Sequence, residues 1–177
     1  MSDDIEVSVI VPAYNEQGAV VGVLQDLHRV MQATGRSYEI LLVDDGSTDE
    51  TVPRGETVQD VQVISHGQNR GTGAARTTGV RASRGRLLVM IDADDTYPVE
   101  SIPAMLEQLE SCDMVIGART REAGTMKWLR TFAKESIRLL ACYLTETRIP
   151  DLNSGLRAMR RELVEAYLPL LPNTHSW

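Results

Sequence analysis

Cysteine, histidine and long apolar runs are scarce in this chain of 177 residues. The two cysteines, Cys112 and Cys142, are too few for a disulfide scaffold and lack the spacing of metal ligands. The three histidines, His28, His66 and His175, are scattered, and we interpret them as structural or surface residues. No apolar run approaches the roughly 20 residues of a membrane span, and the acidic start does not resemble a signal peptide. These absences predict a cytoplasmic protein.

Positive charge is scarce in the first two thirds of the chain. The formal net charge is −7, and residues 1–118 hold 8 of the 18 basic residues but 19 of the 25 acidic ones. Such an acidic section argues against a general nucleic-acid-binding protein. Residues 119–161 hold 10 basic and 4 acidic residues, which indicates a local anionic partner. A solvated charged face would have the same composition, so both interpretations stay open here.

Short runs rich in valine and isoleucine alternate with helical patterns. Unbroken apolar runs predict strands that are covered on both faces. The predicted strands are residues 7–11, 39–43, 61–64, 87–91 and 114–117. The predicted helices are residues 20–31, a short helix after a capping-box pattern at 47–50, residues 74–82 and residues 98–109. Their regular alternation predicts βαβ units and a mainly parallel sheet in one domain.

The last third of the chain has a different pattern. Residues 128–144 predict one long amphipathic helix, in which Arg130, Lys134 and Arg138 recur every four residues and form a basic stripe. A loop at 149–155 and a short element at 159–167 follow.

Acidic residues follow the second and fourth predicted strands, where ligands of doubly wound sheets bind. Either cluster alone, Asp44-Asp45 or Asp92 to Asp95, would also suit a turn or a helix cap. We take the two strand ends to be adjacent, so that the clusters would repel each other without a cation. Carboxylates together with substrate phosphates are typical of Mg²⁺ or Mn²⁺ sites, and no nearby histidine or cysteine favours zinc.

A glycine-rich segment, residues 71–76, follows the third predicted strand. It nearly matches a dinucleotide fingerprint, but Arg76 replaces the third glycine. A nicotinamide site stays open as an interpretation, although close helix packing or backbone approach to a ligand explains the segment better.

Four motifs in order resemble the family 2 glycosyltransferases of GT-A fold. They are VIVPAYNE at 9–16, VDDGSTD at 43–49, NRG at 69–71 and the DXD motif DAD at 92–94. Two later segments, VIGAR at 115–119 and DLNSGLR at 151–157, are similar to the dolichol-phosphate mannosyltransferase branch, which includes bacterial polyprenol-phosphate sugar transferases.

This resemblance implies an α/β protein of GT-A fold, a Rossmann-like three-layer sandwich around a mainly parallel sheet. Residues 1–118 would form the half that binds the nucleotide sugar and the metal. Residues 119–177 would form the acceptor side of the same single domain, ending short of the usual family C-terminus.

The resemblance also implies roles for individual residues. Those expected in the nucleotide pocket are Pro12, Ala13, Tyr14, Glu16, Asp45, Asp92 and Ala93. Asp45 would face the base, and Asp92 and Asp94 would hold Mg²⁺ or Mn²⁺ on the donor pyrophosphate. Those expected around the acceptor phosphate are Arg119, Arg130, Lys134, Ser136, Asp151 and Ser154. Asp94 and Arg119 would act in catalysis.

The implied reaction is an inverting, metal-dependent transfer of a sugar from a UDP-sugar or GDP-sugar to a polyprenyl phosphate, dolichyl or undecaprenyl. A phosphate acceptor is already an anionic nucleophile, so it requires positive charge rather than a strong general base. The enzyme would then work as a peripheral protein at the cytoplasmic face of a membrane.

Two alternatives stay open. A family 2 glycosyltransferase acting on a glycan or protein hydroxyl would need a general base, for which Asp95 or Asp151 is available. A nucleotide-binding or membrane-docking module without turnover would use Trp128 and Phe132 as membrane anchors, unless these side chains belong to the core.

Overall fold

A computed structural model of the chain describes residues 4–117, 154–172 and 174, which contain a six-stranded sheet. The strands are β1 (Val7–Ala13), β2 (Tyr38–Asp44), β3 (Val61–Ser65), β4 (Leu87–Met90), β5 (Met114–Ile116) and β6 (Arg157–Arg160). The helices are α1 (Val20–Thr34), α2 (Thr51–Gly55), α3 (Thr72–Ala82), α4 (Ile102–Gln108) and α5 (Arg161–Tyr167). Short 3-10 turns occupy Val99–Ser101 and Leu168–Leu170.

The sheet has the strand order β3-β2-β1-β4-β6-β5. β1 pairs in parallel with β2 and β4, and β2 pairs in parallel with β3, whereas β6 is antiparallel to both β4 and β5. The predicted mainly parallel sheet and all five predicted strands are confirmed. β6 was not predicted, because the short element expected at 159–167 is divided between the end of a strand and a helix.

Both faces of the sheet are covered, because alternate residues of β1 enter different clusters of apolar side chains. Val7, Val9 and Val11 pack in the cluster that contains the buried face of α1. Ile10 packs on the opposite face with residues of α3 and α5. For the described residues, this arrangement confirms the predicted three layers of helix, sheet and helix.

Among the described residues, the helix predictions hold except at α2. α1 has Gly35 as its C-cap residue, with a positive φ of 67°, and it buries six apolar residues on one face: Val20, Val23, Leu24, Leu27, Val30 and Met31. The capping box predicted at 47–50 is wrong: α2 begins only at Thr51, after Glu50 as its N-cap residue. The Ser47 hydroxyl instead accepts a hydrogen bond from the backbone N–H of Asn15, at 2.8 Å. Ser47 thereby joins the segment after β1 to the segment after β2.

The chain divides into two units, one of Met1–Gly117 with Gly155–Trp177 and one of Ala118–Ser154. Of the second unit, the structure describes only Ser154, so the predicted helix at 128–144 lies outside the described residues. The predicted division of roles at residue 118 stays a prediction. A search of the described residues finds no helix with the length and apolar character of a membrane span.

Candidate active site

A cavity of about 270 Å³ opens at the carboxyl ends of β1, β2 and β4. It is lined by all the residues that the sequence predicts for the nucleotide and the metal: Pro12, Ala13, Tyr14, Glu16, Asp45, Asp92, Ala93 and Asp94. Three further lining residues, Thr72, Ala75 and Arg76, come from α3. The fold therefore gathers the donor-side candidates around one space, while their individual roles stay predictions.

The acidic ends of β2 and β4 are not adjacent, because β1 lies between them in the sheet. The sequence argument that these two clusters would repel each other as neighbours is therefore wrong. The parallel strands β1 and β2 are paired from Val7 opposite Tyr38 to Ala13 opposite Asp44. The two acidic clusters accordingly lie on either side of β1, and each has hydrogen-bond donors of its own.

Asp45 is buried and its carboxylate accepts three hydrogen bonds. Oδ1 accepts from the His66 imidazole and from the backbone N–H of Arg70, both at 2.9 Å, and Oδ2 accepts from the backbone N–H of Gly71 at 2.8 Å. These donors stabilise the carboxylate without a metal. Asp45 therefore holds the glycine-rich segment at the start of α3 while also lining the cavity.

The neighbouring Asp44 shapes the turn after β2. Its carboxylate accepts hydrogen bonds from the backbone N–H groups of Gly46 and Ser47 and from the Ser65 hydroxyl. Gly46 has a positive φ of 81°, and a methyl group there would lie 2.4 Å from the carbonyl carbon of Gln68. The turn interpretation of the Asp44-Asp45 pair is thus correct for Asp44.

Asp92 is held by a buried arginine. The Arg76 guanidinium donates from Nη2 to Asp92 Oδ1 at 2.9 Å, and the Arg76 side chain is 2% exposed, whereas that of Asp92 is 33% exposed. Ion pairs with a buried member are screened less by water and salt than surface pairs. Arg76 therefore fixes one oxygen of a carboxylate whose side chain still reaches the cavity.

Asp94 is exposed and is oriented by Thr96. Its Oδ1 accepts from the Thr96 backbone N–H at 3.1 Å and from the Thr96 hydroxyl at 2.6 Å. Asp95 follows with a positive φ of 57°, a conformation that Asp tolerates better than most residues. The two hydrogen bonds from Thr96 therefore direct the Asp94 carboxylate.

Glu16 experiences the negative field of this edge. Burial raises the pKa of its carboxyl, and the charges of Asp94, Asp49 and Asp92 raise this pKa further. A cation among these carboxylates would lower the repulsion that favours the protonated form.

The residues present fit a hard divalent cation that is shared with a ligand. Among the described residues, no group of three or more His, Cys, Asp or Glu side chains is arranged to hold a metal. Asp92 and Asp94 supply only oxygen ligands, and Mg²⁺ is commonly bound by one or two carboxylates plus substrate phosphates. The site thus suits Mg²⁺ or Mn²⁺ on a pyrophosphate and does not suit an all-protein cage.

Of the six acceptor-side candidates, the structure describes one. Arg119, Arg130, Lys134, Ser136 and Asp151 lie outside the described residues. Ser154 is described and is 1% exposed.

Two residues that matter at this site were missed by the sequence reasoning. The sequence pattern presents Arg76 only as the residue in place of a third glycine, and it presents His66 as a structural or surface residue. The His66 side chain is buried between Asp45 and the Thr78 hydroxyl, which lies 2.8 Å from Nε2, so the structural interpretation holds but the contact with a cavity residue was not predicted. A signal for Arg76 exists in the sequence, because it is the one charged residue among the small residues at 71–80.

The comparisons with known proteins agree on one family. The family described as Glycosyl transferase family 2 matches residues 8–168. The undecaprenyl-phosphate 4-deoxy-4-formamido-L-arabinose transferase of Proteus mirabilis (strain HI4320) is 31% identical over 97% of this chain and 56% of its own length. The enzyme of the same name from Pseudomonas aeruginosa (strain LESB58) is 32% identical over 92% of this chain and 49% of its own length. The chain thus spans about half the length of these relatives.

A solved structure shows the same fold. Glucosyl-3-phosphoglycerate synthase from Mycobacterium tuberculosis, crystallised with Mn²⁺, UDP and phosphoglyceric acid, superposes with a TM-score of 0.72. The match covers 90% of this chain and 57% of that chain at 24% sequence identity. At this identity the likeness concerns the fold alone, and it confirms the predicted GT-A architecture.

Proposed function

Because the chain belongs to glycosyl transferase family 2, we propose that it takes part in transferring a sugar from a nucleoside diphosphate to a polyprenyl phosphate. The observation that carries this proposal is the cavity at the carboxyl edge of the sheet, which is lined by Asp45, Glu16, Asp92 and Asp94 together. A cavity in this position is the usual ligand site of such sheets.

The proposed donor is a UDP-sugar. The half-exposed ring of Tyr14 lines the cavity and offers an aromatic face for a base. Asp45 lines the same space, and its acceptor oxygens suit the N–H group of a uracil ring. The solved structure of the same fold is named with UDP and Mn²⁺, which supports this choice over a GDP-sugar.

Asp92 and Asp94 are the proposed ligands of Mg²⁺ or Mn²⁺. When bound, such an ion stabilises the negative charge that develops on the departing nucleoside diphosphate. Arg76 fixes Asp92 and Thr96 directs Asp94, so the two carboxylates are oriented before the donor arrives. Preorganised ligands of this kind need little rearrangement at the moment of reaction.

The proposed acceptor is undecaprenyl phosphate, which the names of two relatives contain. Its phosphate would attack the anomeric carbon and invert its configuration, with no strong base required. The basic section at 119–161, which includes Arg119, has the charge to hold this phosphate. Because the acceptor is a lipid, we propose that the protein works at a membrane surface.

The direct test is transfer of radiolabelled sugar from UDP-sugars to undecaprenyl phosphate, with Mn²⁺ or with EDTA. We expect transfer only with the metal, and a loss of at least about a hundredfold in Asp94→Asn, since stabilisation by a bound metal is worth several kcal/mol. Asp60→Asn is the matched control, because Asp60 lies outside the cavity and its positive φ of 56° suits asparagine. Full transfer by Asp94→Asn, or transfer in EDTA, would sink the metal-dependent reaction.

An acceptor screen separates this proposal from its main alternative. Phosphoglycerate, soluble glycans and protein acceptors replace undecaprenyl phosphate in the same assay. Transfer to a hydroxyl acceptor alone would favour a family member that needs a general base, and UDP binding without transfer to any acceptor would favour a binding module.

A further inference from the structure

The backbone of Gly155 lies directly against the carboxylate of Asp92. A methyl group at residue 155 would lie 1.9 Å from Asp92 Oδ2 and 2.5 Å from its Cγ. Both distances are far below van der Waals contact, so any other residue at 155 would displace this carboxylate. The colliding atoms belong to the end of a side chain that is one-third exposed, which can rotate away without unfolding the protein.

Tyr97 fixes Gly155 in this place. The Gly155 backbone N–H donates a hydrogen bond to the Tyr97 hydroxyl at 2.5 Å, and Tyr97 is 6% exposed. Tyr97 lies five residues after Asp92, so the segment that leaves β4 supplies both the carboxylate and the anchor. A buried hydroxyl that accepts a backbone N–H holds that backbone with little freedom.

Arg76 confines Asp92 from its other oxygen. Its guanidinium binds Oδ1, while Gly155 lies against Oδ2. The Asp92 carboxylate is therefore set by two contacts from different parts of the chain, one from α3 and one from the segment before β6. Neither contact comes from the β4 end that carries Asp92.

We propose that Gly155 and Tyr97 are positioning residues for Asp92, which together fix the direction of its carboxylate towards the cavity. The link to a metal rests on the proposed function, because Asp92 is one of the two proposed metal ligands. Groups that orient a ligand from outside the coordination sphere commonly change metal affinity by about ten- to a hundredfold. Gly155 would thereby act on the donor side of the site.

The first test is a Gly155→Ala variant examined by crystallography without metal and by Mn²⁺ titration. We expect the Asp92 carboxylate to leave its contact with Arg76, and Mn²⁺ affinity measured from the free-ion signal in electron paramagnetic resonance to fall about ten- to a hundredfold. Binding of UDP in EDTA is expected to stay within about twofold of the original protein. Gly22→Ala is the matched control, since a methyl group at Gly22 meets nothing within 4 Å.

Tyr97→Phe provides a second variant that keeps the ring and removes only the hydroxyl. We expect Mn²⁺ affinity to fall by less than in Gly155→Ala. If Gly155→Ala does not fold, Tyr97→Phe tests the positioning role instead. An unmoved Asp92 in Gly155→Ala, or unchanged Mn²⁺ affinity in both variants, would overturn the positioning role. Failure of the original protein to bind Mn²⁺ both alone and in the presence of UDP would instead refute the metal in the proposed function, and the position of Asp92 in the Gly155→Ala crystal would still decide the role of Gly155.

Discussion

At the scale of single residues, His66 links the Asp45 carboxylate to helix α3. Its ring contacts the Asp45 carboxylate and the Thr78 hydroxyl, and Asp45 in turn holds the backbone N–H groups of Arg70 and Gly71. We expect His66→Phe to lower the free energy of unfolding by about 1.5–3 kcal/mol, because a buried charged acceptor loses one donor. UDP affinity measured by calorimetry is expected to fall about tenfold, a loss of about 1.4 kcal/mol.

The control for this prediction is His28→Phe. His28 also makes two ring hydrogen bonds, to the Tyr38 hydroxyl and the Gln59 carbonyl, but it does so away from the cavity. We expect this variant to lose stability while UDP affinity stays unchanged. Equal losses of UDP affinity in both variants would mean that the effect of His66 is general destabilisation.

Glu16 gives a pH-dependent prediction. Burial and the nearby carboxylates raise its pKa above the ordinary value of 4.5, so the folded state binds more protons than the unfolded state between these two pKa values. Stability therefore falls as the pH rises through this interval. We expect Glu16→Gln to raise the Tm by roughly 1–2 °C at pH 7 without metal, as suits a partly exposed charge.

Calorimetry at two pH values checks the Glu16 prediction. At pH 4, below the ordinary pKa of 4.5, the carboxyl is largely protonated in both states and most of the gain should disappear. A gain of the same size at both pH values would show that repulsion between carboxylates is not its cause.

The residue types at the cavity could be predicted from the sequence, but their partners could not. Asp45, Asp92 and Asp94 follow apolar runs, and parallel strands end at one edge of a sheet, so their shared location follows from local pattern. The contacts of Arg76 with Asp92 and of Gly155 with Asp92 join residues 16 and 63 positions apart. Such contacts depend on how α3 and β6 pack, which no local pattern encodes.

At the scale of elements, α3 approaches β1 closely through Gly79. A methyl group at Gly79 would lie 2.4 Å from Cγ2 of Ile10 and 3.3 Å from Cγ2 of Val43. We expect Gly79→Ala to lower the free energy of unfolding by about 1–3 kcal/mol, because the core must shift to accept it. Thermal unfolding would then show a Tm lowered by about 2–12 °C.

Gly22→Ala in α1 is again the control for this change. An alanine in a helix interior is better by about 0.5–1 kcal/mol than glycine, and a methyl group at this position meets open space. The two substitutions should therefore change the Tm in opposite directions. A Tm that rises in Gly79→Ala would contradict the close approach of α3 to β1.

The elements of the first 117 residues could be predicted because each has its own periodic pattern. β6 could not, since its four residues begin and end with arginine and lack an apolar run. Arg157 and Arg160 flank Ala158 and Met159, which are the buried members of the strand. β6 is a strand because β4 and β5 pair with it on both sides, so tertiary pairing overrides a weak local preference.

At the scale of the whole molecule, the distribution of charge along the chain tells more about the cavity than the net charge does. The acidic section, residues 1–118, contains the cavity carboxylates, but Asp45 and Asp92 already have donors from the protein. Asp94 accepts hydrogen bonds from the neutral Thr96, and its charge raises the pKa of Glu16, so negative charge remains around these two carboxylates. This distribution favours a metal that arrives with the donor over one that is bound permanently.

That distribution predicts cooperative binding of metal and nucleotide by the whole chain. With two carboxylates as the proposed protein ligands, Mn²⁺ alone and UDP alone are each expected to raise the Tm only slightly. Together, at about 100 times the dissociation constant of the complex, they should stabilise the protein by about 2.7 kcal/mol, which corresponds to roughly 5–10 °C in Tm. Differential scanning fluorimetry with each ligand and with both measures this directly. Asp94→Asn should leave the small shift with UDP alone and abolish the additional shift with Mn²⁺, whereas simple additivity in the original protein would show that metal and nucleotide bind independently.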